Sequence, residues 1–131
     1  MMIRNCILLC SLALASAPAS AQPAAPPARG PQCFFVNELG NWRAQDTRTI
    51  NFRLRGDRYI RLGLGNECYP LRSPTARLVT DFGRSSTVCS PLDWNLRVSE
   101  AIGSPAIPCI VKTVTQVSPA DIAALPAKAR P

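Results

Sequence analysis

Four cysteines that follow an export-type N-terminus constrain this chain more than any other feature. Cys33, Cys68, Cys89 and Cys109 form an even set, and an even set in an exported chain predicts two disulfides rather than free thiols or metal ligation. No C-x-x-C pair occurs and the sequence has no histidine, so neither a zinc site nor a thioredoxin-like redox site is expected, and nothing implies another metal or a cofactor. Spacing alone leaves three connectivities open. The preferred one joins Cys33 to Cys109 and Cys68 to Cys89, because the first bond would tie the opening strand, Cys33-Phe34-Phe35, to the closing one, Cys109-Ile110-Val111.

Residues 1–21 read as a cleavable signal peptide. Arg4 supplies the charge of the n-region, Cys6 to Ala15 is apolar apart from Ser11, and Ala19-Ser20-Ala21 is a small-x-small cleavage site. The apolar run is too short to span a bilayer, and no later run reaches 18 apolar residues, so no transmembrane segment is expected in the mature chain. The mature protein is therefore expected in the periplasm or secreted. Residues 22–32 hold four prolines and no apolar periodicity, which predicts an extended, disordered leader. The disulfide-bonded domain is expected over 33–126, with a disordered tail over 127–131.

Thr49 to Leu64 carries the clearest pattern. Ile50, Phe52 and Leu54 alternate with Asn51, Arg53 and Arg55, and Ile60, Leu62 and Leu64 alternate with Tyr59, Arg61 and Gly63, as in the two strands of a hairpin with one buried face. Opposed residues share a face, so a two-residue loop would mix apolar and polar positions. A three-residue loop, Gly56 to Arg58, opposes Leu54 to Ile60, Phe52 to Leu62 and Arg53 to Arg61; an odd-length loop or a compensating bulge is predicted. Further strands are expected at Cys33–Val36, Ala76–Phe82, Trp94–Val98 and Ile110–Thr115, separated by turn signals at Gly40-Asn41, Gly65-Asn66, Ser73-Pro74, Gly83 and 103–108. Trp94, Leu96 and Val98 fall on one inward face; Trp42, after a turn, is less constrained. Ser118 as N-cap, Pro119 at the first helical position and Asp121 predict a short helix that stops by Pro126. The fold class is mainly β: a small antiparallel β-sandwich or barrel with one short C-terminal helix, stapled by two disulfides.

The chain resembles an uncharacterised family of small exported proteins of Gram-negative bacteria, a domain of unknown function. The likeness rests on Cys33-Phe34, Trp42-Arg43-Ala44, Asp46 with Thr49-Ile50, Tyr59-Ile60-Arg61-Leu62, Cys68 and Cys89, Leu92-Asp93-Trp94, Cys109-Ile110-Val111-Lys112 and Ser118-Pro119-Ala120. It implies export and a small four-cysteine fold, and it assigns no activity and no functional residues.

Without histidine, Ser-His-Asp and Cys-His nucleophilic arrangements are excluded. No phosphate-cradling glycine motif occurs. Two carboxylates suffice for a glycan-active hydrolase, with Asp81, Asp93 and Glu100 as the available acids, but acids of this kind are also ordinary surface residues, and the expectation is a non-catalytic protein. Removing the signal peptide leaves 14 cations against 8 acids, a net +6, with 12 arginines and 2 lysines. Arginine suits bidentate contact with carboxylates and phosphates. The hairpin's polar face should present Arg53, Arg55, Tyr59 and Arg61, with Arg48 and Arg58 near its ends. Arg53 opposed to Arg61 would be unfavourable without a neutralising anion, so this face is the candidate anion-binding site. An acidic cell-envelope polymer or a partner protein is the partner it suits, and a solvated, aggregation-resistant face is the plainer explanation. No aromatic run interleaves with the cations, which weighs against nucleic acid. Arg55-Gly56-Asp57 matches an integrin-recognition tripeptide, but Gly and Asp are what a tight turn needs. An inhibitor of another enzyme is a further possibility, though a basic protein suits basic targets poorly.

Overall fold

The computed structural model describes residues 33–131; the expected signal peptide and leader lie outside the described residues. Nine strands follow in order: β1 Phe34–Phe35, β2 Leu39–Asp46, β3 Thr49–Leu54, β4 Arg58–Leu64, β5 Arg77–Asp81, β6 Thr87–Val88, β7 Asn95–Ser99, β8 Ile107–Pro108 and β9 Val111–Val117. A single helix, α1 Pro119–Ala123, comes after them, and one-turn 3-10 segments sit at Val36–Glu38, Tyr69–Arg72, Pro91–Asp93 and Ala127–Ala129. The strands pair antiparallel as β2-β3-β4-β9, β5-β7-β8 and β1-β6. The expected mainly β, antiparallel, disulfide-stapled fold with one short helix is the one that forms.

The two larger sheets are halves of one curled ribbon. β8 leads into β9 through a corner at Cys109-Ile110, where the chain changes partner: the Cys109 N–H donates to the Leu96 carbonyl on β7, whereas the Ile110 carbonyl accepts from Gly65 just beyond β4. The order is therefore β5-β7-β8/β9-β4-β3-β2, and β5 and β2 are its outer strands. Alternation puts Ile50, Phe52, Leu54, Ile60, Leu62 and Leu64 on the inner face, where they meet Leu96, Val98 and Val88 in one cluster. Trp94 fills the middle, its ring centroids 6.2, 5.6 and 5.2 Å from those of Phe34, Phe52 and Phe82. Burial of each such large apolar side chain stabilises by about 1.5–3 kcal/mol. Against that gain, the Trp94 Nε1 has no hydrogen-bond acceptor among the described residues.

The hairpin loop has three residues, as parity requires, but one position earlier than expected. Leu54 opposes Arg58, Arg53 opposes Tyr59, Phe52 opposes Ile60 and Asn51 opposes Arg61. Gly56 and Asp57 take left-handed φ values of 78° and 55° in the Arg55–Asp57 loop, a conformation open to glycine and tolerated by aspartate. The ion pair between Arg58 and Glu38 draws Arg58 into β4. Gly40-Asn41, expected as a turn, instead lies inside β2 at a register shift between Leu39 and Trp42. Glycine is needed there because a Cβ would come within 2.9 Å of the Arg53 carbonyl oxygen. The first strand is also shorter than Cys33–Val36, since the chain turns into a 3-10 segment at Val36.

The disulfides correct the preferred pairing: they join Cys33 to Cys89 and Cys68 to Cys109, not Cys33 to Cys109 and Cys68 to Cys89. Cys33 and Cys89 flank the β1-β6 ladder, in which Phe34 opposes Val88, so the opening strand pairs with β6 and not with the closing strand. Cys109 sits at the ribbon's corner beside the Gly65–Cys68 loop. With sequence separations of 56 and 41, each bond stabilises by about 4 kcal/mol in the chain-entropy treatment.

The expected disordered tail over 127–131 is likewise corrected. Ala127–Ala129 form a 3-10 turn, Ala129 is buried, and the Arg130 Nε donates to the Leu125 carbonyl at 2.7 Å. Residues 118–131 form a strap that contacts β4 through α1 and β2 through the 3-10 turn. It begins as expected, with the Ser118 hydroxyl accepting from the Asp121 N–H at 3.1 Å.

Candidate functional site

The hairpin's polar face is where the sequence pointed, and the strap crosses it. Register places Arg43 of β2, Asn51 of β3 and Arg61 of β4 in one cross-strand row, the two arginines about 10 Å apart across two strand spacings. Asn51 is fully buried. Its Oδ1 accepts from the Arg61 Nε at 2.8 Å, and its Nδ2 donates to the Gln45 Oε1 and to the Ala129 carbonyl, both at 3.4 Å. One carboxamide thus positions Arg61 and fastens the strap, an arrangement that a buried amide needs if it is not to lose its hydration uncompensated.

Of the four predicted site residues, Arg53, Tyr59 and Arg61 share this face, whereas Arg55 lies in the exposed loop. The expected opposition of Arg53 to Arg61 does not occur: Tyr59 stands opposite Arg53 and Asn51 opposite Arg61. Arg53 forms an ion pair with Asp57, and that contact raises its affinity for its proton. Arg58 pairs with Glu38, whose carboxyl is held below the ordinary carboxylate range, first by the Phe35 N–H at 2.8 Å and then by Arg58 and Arg55. Arg48 is 3.8 Å from Glu67. Arg53 and Arg61 are therefore not an opposed pair of like charges, and neither needs an anion on that account.

A different set of cations on this face is positioned without being neutralised. The Arg43 Nη1 donates to the Trp42 carbonyl at 3.0 Å, the Arg61 Nε to Asn51 and the Arg130 Nε to Leu125. All three acceptors are neutral oxygens, so the guanidinium charge is fixed in place and uncompensated, and the Arg61 and Arg130 Nη atoms have no partner among the described residues. Lys128 is exposed on the same strap. Sequence reading passed over Arg43, Lys128 and Arg130. The alternation Trp42 and Ala44 inward, Arg43 outward was legible, but the turn assigned to Gly40-Asn41 kept Arg43 outside any strand, and the tail was taken as unstructured.

Two of the three acids weighed for hydrolysis, Asp81 and Asp93, serve turns. Asp93 accepts from the N–H groups of Cys89 and Ser90, both at 2.8 Å, and these two bonds hold its carboxyl below the ordinary range. Asp81 accepts from the Gly83 N–H at 2.7 Å. An open groove of about 660 Å³ lies elsewhere, lined by Trp42, Pro74 to Leu78, Ala101 and Ile102, and no carboxylate lines it. Among the described residues no cluster of three metal-ligating side chains occurs. No protein-family model, curated protein or solved structure matches the chain.

Proposed function

We propose that the protein is an exported, non-catalytic binding module whose strap-crossed sheet face engages an acidic cell-envelope polymer or an acidic partner protein. The observation that carries this reading is the set Arg43, Arg61 and Arg130, each held by a neutral acceptor. A guanidinium so held retains its whole charge and its planar donor fork for an incoming carboxylate or phosphate, while its side-chain entropy is already partly lost before binding. Arg53, Arg55 and Tyr59 extend the face towards the hairpin tip. Two disulfides fit an oxidising compartment, in keeping with a periplasmic or secreted protein.

The test separates a built site from bulk charge. Arg43→Gln with Arg130→Gln removes two positioned cations, and Arg72→Gln with Arg84→Gln removes the same charge elsewhere. On an acidic-polysaccharide resin the first pair should weaken binding roughly tenfold, equivalent to about 1.4 kcal/mol, and elute at clearly lower salt, while the second should shift little. Equal retention of both variants would reduce the effect to net charge.

A further inference from the structure

The curled ribbon does not close. Its outer strands are β2 and β5, and the groove is lined from both: Trp42 belongs to β2, and Arg77 and Leu78 to β5. No backbone hydrogen bond joins these two strands, nor is the outer side of β5 bonded to any other segment among the described residues. Such an edge is a template for another strand. The two edges are not equivalent. β2 carries register shifts between Leu39 and Trp42 and between Ala44 and Asp46, the irregularity by which natural sheets blunt an edge. β5 keeps unbroken register with β7 from Arg77 opposite Ser99 to Asp81 opposite Asn95. It is therefore the edge fit to pair.

The walls suit an extended chain better than a small molecule. Ile102, one of the walls, is 79% exposed, so the groove cannot enclose a compact ligand, whereas a strand needs apolar contact only on alternate residues. Charge also differs along the edge. Arg77 stands at one end with no carboxylate partner among the described residues, and Asp81 stands at the other, on the same face as Arg77 by the two-residue period.

We propose that the outer edge of β5 is a strand-addition site for an extended segment of a partner protein. The segment runs antiparallel to β5, the commoner pairing. It sets alternate apolar side chains into the groove against Trp42, Leu78 and Ile102, places an acidic residue opposite Arg77 and a basic one opposite Asp81.

The probe is the end-capped, dye-labelled peptide Lys-Leu-Thr-Leu-Glu, titrated against the whole mature chain by fluorescence anisotropy, with amide exchange as a second readout. Saturable binding is expected, with slowed exchange confined to 77–81. Ile102→Asp should weaken it about tenfold, and exposure of Ile102 makes the fold indifferent to that change. Arg77→Glu should weaken it about threefold, and a peptide ending in Lys instead of Glu should recover the loss. The Cys109–Leu96 bond turns the backbone groups of Val79 to β7 and leaves those of Leu78 and Thr80 facing outward. A peptide with proline in place of the leucine opposite Leu78 should therefore not bind, since it lacks that ladder donor. The proposal is overturned by equal binding of the proline peptide, by an Arg77→Glu variant with unchanged affinity, or by no saturable binding. Two further outcomes assign the groove to another occupant and also overturn it: a concentration-dependent dimer lost in Ile102→Asp, or binding at least tenfold tighter when residues 22–32 are removed.

Discussion

Asn51 shows how one residue can decide what a whole face does. A carboxamide at zero exposure must find partners for an acceptor and two donors, and it finds them in Arg61, Gln45 and the carbonyl of Ala129. Asn51→Ala would leave the Arg61 Nε and the Ala129 oxygen unpaired beneath the strap. The expected cost is about 1–3 kcal/mol in denaturant unfolding, with amide exchange at 126–131 accelerated more than in β7. A neutral substitution would show that the strap is held by its apolar contacts alone. Strand alternation marked Asn51 as an outward residue, and its orientation was legible from sequence. Its burial was not, because the covering segment, Pro126-Ala127-Lys128-Ala129-Arg130-Pro131, inserts a single alanine, which leaves no apolar periodicity to read.

Within the elements, parity was the strongest inference the sequence allowed and also marked its own limit. It required an odd loop between β3 and β4, and the loop has three residues. A register differing by two keeps every side chain on its face, so alternation cannot distinguish Leu54 opposite Ile60 from Leu54 opposite Arg58. The observed register is the one in which Arg58 meets Glu38, twenty residues earlier and in a different element. The turn at Pro91–Asp93 is local by comparison. Ser90 is its N-cap and Asp93 returns a carboxylate to the cap's N–H. Because the folded carboxyl sits below its ordinary value, this contact stabilises the protein at pH above the unfolded carboxylate range and loses its contribution as pH falls through the lowered folded value. Asp93→Asn should therefore be less stable than the parent at neutral pH, with the gap narrowing below about pH 4. Thermal unfolding of both proteins from pH 2 to 7 reads the difference directly, and a gap independent of pH would exclude the carboxylate as its source.

For the whole molecule, the two disulfides are not equivalent. Cys33 and Cys89 are exposed, whereas Cys68 and Cys109 are 0% and 2% exposed. A dithiol reductant under native conditions should open Cys33–Cys89 first, leaving β2-β3-β4-β9 intact, and should reach Cys68–Cys109 only through global unfolding. Alkylation and mass spectrometry over a time course would separate the two, and simultaneous loss would contradict the distinction. Composition had fixed that two bonds form, but their partners follow from the β1-β6 ladder, built from two-residue strands too short to carry a pattern. The corner at Cys109 has a temporal consequence as well. β4 lacks its second neighbour until residues 111–117 exist, and the buried thiol at 68 waits for the one at 109. A polypeptide emerging N-terminus first thus holds β4 with one open side and Cys68 unpaired until residues 109–117 have appeared, so closure of the buried bond comes late in folding.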